Sequence, residues 1–251
     1  MAGCATRAGV LLLAASVTSG LQAAWHVRRM RVRAAEVVPL EHAVDLPGDL
    51  PPRTVVMLGD SAAAGHGLDN PDAAVLRRVA RALVASDGRA TVVRSVAVDG
   101  ATTEDVLETQ VGAARGAEVV LLGVGANDAF RAYRSSTEVA DATHRLLTAL
   151  REVAAPQARI VFHTCPDLSV APGLPVVLRP VVGWRCRRVA EAQHAVAAMH
   201  AIPVADLPRE RLGPEVFGTD RFHPGEVGHA RLAERAVAML TATGDTAPRS
   251  I

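Results

Sequence analysis

Four short blocks in this 251-residue chain carry side chains suited to acyl-transfer chemistry. The first is Gly59-Asp60-Ser61, directly after the apolar run 54–58. A serine placed where a strand ends in a Gly-Asp turn exposes its hydroxyl at the sheet edge. The N–H groups of that turn can then face a developing oxyanion. The second block is Asp99-Gly100-Ala101-Thr102-Thr103, in which Gly100 allows close backbone approach to a ligand. The third is Gly123-Val124-Gly125-Ala126-Asn127-Asp128, where Asn127 offers an amide donor without net charge. The fourth is Asp220-Arg221-Phe222-His223-Pro224. In a tight turn an aspartate can reach the Nδ1–H of a histidine three residues on. That fixes the tautomer and leaves Nε2 to take a proton from a serine. Each block taken alone has a plainer explanation. Serine favours turns and helix caps, Thr102, Thr103 or Asn127 can cap a following helix, and an Asp and a His can share a surface loop.

What would gather the four blocks is the order of the elements. Apolar, β-rich runs at 54–58, 91–98, 118–124, 159–163 and 202–205 alternate with helical patterns near 71–86, 103–115, 137–154, 185–200 and 225–241. Continuous apolar strands separated by amphipathic helices imply a parallel sheet covered on both faces. The expected class is α/β, a flavodoxin-like three-layer sandwich whose five-stranded parallel sheet has the order 2-1-3-4-5. Ligands in such sheets bind at the carboxyl ends of the strands. Ser61, Gly100 and Asn127 fall at three of those ends, and Asp220 and His223 lie on the loop before the last helix. Pro224 suits a first helical position.

The set Ser, Gly, Asn and Asp-x-x-His, in this order over about residues 54 to 241, resembles the SGNH hydrolase family, the GDSL esterases and lipases. The resemblance implies a nucleophile at Ser61, a general base at His223 and its orienting partner at Asp220. It implies oxyanion donors in the N–H groups of Ser61 and Gly100 and in the amide of Asn127. It further implies a two-step acyl transfer on a small-molecule or lipid ester, with no cofactor and no metal. Two positions depart from the family's pattern. Ala62 stands where a leucine follows the serine, and Ser95 stands where an asparagine often lies five residues before Gly100. An acyltransferase or a thioesterase would use the same triad, and a silent binding domain is the alternative from another class.

The remaining features bound the setting. Hydrophobic residues make up 49% of the chain, aromatics 3%, and the formal net charge is +1, so nucleic acid is not the expected partner. Every basic residue is Arg, which together with the alanine content points to a GC-rich coding sequence. Residues 8–25 form an apolar run without charge, just long enough to span a bilayer. No A-x-A site follows it, because Leu21 and Gln22 occupy the −3 positions, so a signal anchor fits better than a cleaved signal. Arg28, Arg29, Arg31 and Arg33 after the run favour the cytoplasmic face for the domain, with secretion as the alternative. The expected divisions are a hydrophobic segment with its basic flank at 1–33, a Pro-rich linker at 34–53, the hydrolase domain at 54–241 and a flexible tail at 242–251, in a monomer. Cys165 and Cys186 are read as free thiols, or as a disulfide if the domain is exported. His66 reads as a surface-loop residue or a pocket wall, and His163 as part of a pocket wall. His163, His194, His200 and His229 lack metal-ligand spacing. The apolar, Pro-rich stretch 170–184 reads equally as a flap lining an acyl pocket or as a loop packed on the core.

Overall fold

A computed structural model describes residues 41–44, 51–131, 134–208 and 212–242. Five strands, β1 (Glu41–Val44), β2 (Arg53–Gly59), β3 (Thr91–Ser95), β4 (Val119–Gly123) and β5 (Arg159–His163), form one sheet in the order β1-β3-β2-β4-β5. The last four of that order are mutually parallel. Successive side chains of a strand point to opposite faces, so a strand apolar at every position must be covered twice. Val55 and Met57 accordingly join one core with α1 (Val75–Asp87) and α6 (Glu226–Ala242). Val56 and Leu58 join the other with α2 (Thr103–Thr109), α4 (Ser136–Val153) and α5 (Arg179–Met199). The short α3 (Ala126–Phe130) follows directly on the end of β4. The class is therefore the expected α/β sandwich, with helices on both faces of the sheet.

Both edges of the sheet differ from expectation. The run 202–205 makes only an isolated parallel bridge, Val204 opposite Phe162. Its bonds are Phe162 N–H to Pro203 O at 3.1 Å and Ala205 N–H to Phe162 O at 2.9 Å. Pro203 has no N–H to extend a ladder, which keeps the segment at the edge. At the opposite edge β1 pairs antiparallel with β3, Val44 opposite Thr91, within the stretch expected to be linker. β3 ends at Ser95, yet Val96 and Val98 still donate to Met57 O and Gly59 O at 3.0 Å each. α5 begins at Arg179, inside the expected loop, with Pro180 in its first turn where a missing N–H costs nothing. The apolar run 8–25 and the tail 243–251 lie outside the described residues. Among the described residues no helix is long and apolar enough to cross a membrane.

Candidate active site

The carboxyl ends of β2, β4 and β5 are level, with Gly59 opposite Gly123 and Gly123 opposite His163. At that level the chain turns sharply. Gly59 takes φ +146°, and a Cβ there would meet Gly123 O at 2.0 Å, so no other residue fits. Buried Gln110 clamps this glycine from α2's end. Its Oε1 accepts Gly59 N–H at 2.8 Å and its Nε2 donates to Gly59 O at 2.9 Å. The Asp60 N–H reaches across to Gly123 O at 3.0 Å. Ser61 follows, with its hydroxyl on the crevice.

The partner loop is built around Asp220. Its Oδ1 accepts the N–H groups of Phe222 at 2.9 Å and His223 at 3.0 Å, which holds Arg221 in the left-handed region at φ +62°. Its Oδ2 lies 2.5 Å from His223 Nδ1, and His223 Nε2 lies 2.9 Å from Ser61 Oγ. Burial raises the Asp220 carboxyl, but its bond to His223, the His223 charge and the two backbone donors outweigh burial and hold it below the usual carboxylate value. Pro224 is not the helix's first residue; it pairs with Phe217 in an antiparallel bridge before α6 begins at Glu226.

Gly100 and Asn127 line the same cavity as Ser61 and His223. Gly100 takes φ +76°, and Thr102 two residues on caps α2 in a capping box with Asp105. Asn127 is not a cap, because Gly125 occupies that position. Its Nδ2 donates to Ala101 O at 3.0 Å. One amide hydrogen thus fixes the plane of the group and the second remains for the crevice.

Three buried polar residues that sequence reasoning missed brace these loops. Besides Gln110, Gln193 of α5 accepts Cys165 N–H at 2.9 Å and donates to Val124 O at 3.0 Å, tying the ends of β4 and β5 together. Fully buried Asp128 accepts the N–H and Oγ1–H of Thr103, both at 2.9 Å, and meets Arg134 at 3.1 Å, which ties the loop of Gly100 to that of Asn127. The available signal was a polar residue on an otherwise apolar helix face, as Gln193 is between Val189 and Val196.

Burial also pushes the Asp60 carboxyl up to about 7, against the opposing pull of the Ala62 N–H and the His223 charge. Asp128 is likewise raised by burial, although Thr103 and Arg134 stabilise its anion. His66 is buried rather than on the surface. It does not line the cavity but sets its ring edge-on to His223, with centroids 5.5 Å apart. Burial, and then the His223 charge, lowers its pKa. His163 does line the cavity, its Nδ1 3.1 Å from Ala205 O. The cavity encloses about 920 Å³ and includes Phe130, Leu168 and Phe222 in its wall. No residue of 170–184 lines it, and the stretch forms a loop and the start of α5. Its Ala171 and Leu174 are buried. Cys165 and Cys186 are buried free thiols.

Residues 57–231 match the model of the GDSL-like lipase/acylhydrolase family. Over 191 residues the chain is 30% identical to the GDSL-like esterase Rv1075c of Mycobacterium tuberculosis (strain ATCC 25618 / H37Rv), covering 72% of this chain and 59% of that protein. The chain thus spans about three-fifths of the length of that relative. Among solved structures it is similar to the lipase/acylhydrolase from Enterococcus faecalis. That match has TM-score 0.57 and 24% identity, over 79% of this chain and 100% of that one. It is also similar to the lipase Lip_vut3 from a goat rumen metagenome, at TM-score 0.59 and 15% identity, over 74% and 97% of the two chains. At these identities the structural likeness is one of fold.

Proposed function

The chain belongs to the GDSL-like lipase/acylhydrolase family, and from that premise we propose that it is a serine esterase that cleaves carboxylic esters through an acyl-enzyme on Ser61. The observation that carries this reading is the hydrogen-bonded line Ser61 Oγ, His223 Nε2, His223 Nδ1, Asp220 Oδ2, with separations of 2.9 and 2.5 Å at its two links. With the Nδ1 proton held by Asp220, Nε2 presents its lone pair to the hydroxyl. Ser61 Oγ attacks the ester carbonyl as its proton passes to Nε2. The carbonyl π pair moves onto oxygen, where the N–H groups of Ser61 and Gly100 and the second amide hydrogen of Asn127 receive it. Collapse of that intermediate breaks the bond to the alcohol oxygen, which leaves with the Nε2 proton. Water then attacks the acyl-enzyme by the same route and frees the acid. The substrate is a small-molecule or lipid ester, and residues 8–25 act as a signal anchor.

The test is paired. A fluorophosphonate should label the wild-type protein stoichiometrically and leave Ser61→Ala unlabelled, and the variant should lose ester turnover by about 10³ or more while staying folded. Near-parental activity in purified Ser61→Ala would end the reading.

A further inference from the structure

The start of α5 is apolar on two opposite faces. Its inner face, with Gly183, Cys186 and Val189, is buried. Its outer face and the turn before it expose Val176 at 72%, Val177 at 67%, Val181 at 63% and Trp184 at 54%. Val181, Trp184 and Arg188 follow one another at intervals of three and four, which places them in one stripe along the helix, with Val176 and Val177 exposed in the turn before it. A solvent-facing helix stripe is ordinarily polar, and a contiguous apolar one marks a surface that meets another phase or molecule.

The charge on the helix itself points to that phase. From Leu168 to Ala190, between Asp167 and Glu191, the chain has no Asp or Glu but has Arg179, Arg185, Arg187 and Arg188. Arg179 donates to the carbonyls of Leu174 and Ala171. Arg185 is turned inward, donating to the carbonyls of Ala129, Arg131 and Arg134. Arg187 and Arg188 are exposed. Arg188 meets Glu191 at 3.5 Å, an exposed pair that holds its charge only weakly. Valines and a tryptophan rimmed by arginines match an interface where acyl chains lie beneath negatively charged headgroups. We propose that the outer face of residues 176–188 docks on an anionic lipid surface. The helix that carries this face is tied to the crevice through its other side. Gly173 N–H donates to Arg221 O at 2.7 Å, and the buried side of α5 packs with Leu168 and Phe222, which line the cavity. The proposal is independent of the reaction in the crevice.

The chain has two tryptophans, Trp25 and Trp184, so full-length Trp25→Phe reports Trp184 alone. Its emission is recorded with vesicles of phosphatidylglycerol and of phosphatidylcholine, each also with brominated acyl chains. The expected result is a blue shift with the anionic vesicles, quenching by their brominated form, and reversal by salt. Val181→Glu should abolish the shift, and Arg187→Ala with Arg188→Ala should weaken it by on the order of tenfold or more. Vesicle-bound protein whose Trp184 emission is unchanged would overturn the proposal, because residues 8–25 alone would then hold the chain. Equal shifts on neutral vesicles would overturn the anionic requirement. A Trp184 already blue-shifted in buffer would show the stripe covered by the chain itself or by a second copy. Turnover of a water-soluble ester is followed on the same samples. Its absence counts against the esterase reading alone, and Val181→Glu should leave it unchanged.

Discussion

Ser61, Asp60 and Asn127 are close in space and solve three separate electrostatic problems. Under the proposed mechanism Ser61 needs a base, and His223 Nε2 stands 2.9 Å from its Oγ. Asn127 spends one amide hydrogen on Ala101 O, and that bond is why its second hydrogen has a fixed direction. Donors aimed in advance act chiefly in the transition state, so Asn127→Ala should lower kcat by about 10²–10³ with little change in KM. Steady-state kinetics check this, and a pure KM effect would make Asn127 a substrate-binding residue instead. Burial raises the Asp60 pKa from 3.8 to about 7, and among the described residues no cation is hydrogen-bonded to it. Between those values the native state holds a proton that the unfolded chain has released. Stability is therefore fullest on the acid side and declines as pH rises towards 7, by on the order of 4 kcal/mol. Asp60→Asn keeps an acceptor for Ala62 N–H and removes the ionisation. Urea unfolding at about pH 5 and about pH 7.5 should show a smaller alkaline loss in the variant than in its parent. Equal losses would mean that Asp60 does not titrate in this range.

At the scale of elements, the loops of the candidate site are held by helices rather than by their own sequences. Gln110 closes two hydrogen bonds on Gly59, and Gln193 spans the ends of β4 and β5. Gln110→Leu fills the same space but leaves the buried Gly59 N–H without an acceptor, at a cost of about 1–3 kcal/mol. The Ser61 turn should then lose its exact aim, and a displacement of about 1 Å can cost up to 10² in rate. Gln110→Leu is thus expected to lower both the urea midpoint and kcat, with KM little changed. A lower midpoint with full kcat in the folded fraction would limit Gln110 to stability. α1 shows the same dependence on a neighbour. Its N-cap Ala74 has no capping side chain, and His229 of α6 accepts Val75 N–H at 3.2 Å in its place.

At the scale of the whole molecule, the parallel register brings three strand ends level, and the loop before α6 folds back over them. The groups that line the crevice therefore come from distant segments, with Asp220 and His223 sharing one loop, and Ser61 meets a histidine 162 residues away. Anchoring belongs to this scale as well. We expect residues 8–25 to hold the full-length chain at a membrane, as an uncharged run of this length followed by four arginines resembles a signal anchor. Cell fractionation should find it in the membrane pellet. Recovery of a soluble form trimmed near Trp25 would identify a cleaved signal instead.

The sequence by itself determined the α/β class and the four central strands, because strands buried on both faces must be apolar at every position. It also determined where Ser61, Gly100 and Asn127 would meet, because a parallel sheet puts the ends of its strands on one edge, while the Asp220–His223 loop reaches them only in the fold. Only the tertiary structure decided the rest. The 202–205 run shrinks to one bridge because Pro203 lacks a donor, while four residues of apparent linker find a free strand edge at β3. Gln110, Gln193, Asp128 and His229 look like misplaced polar residues until the loop each one serves is folded against it. Hydrophobic period is local and survives in one dimension, whereas a hydrogen bond between segments distant in sequence exists only once both are in place.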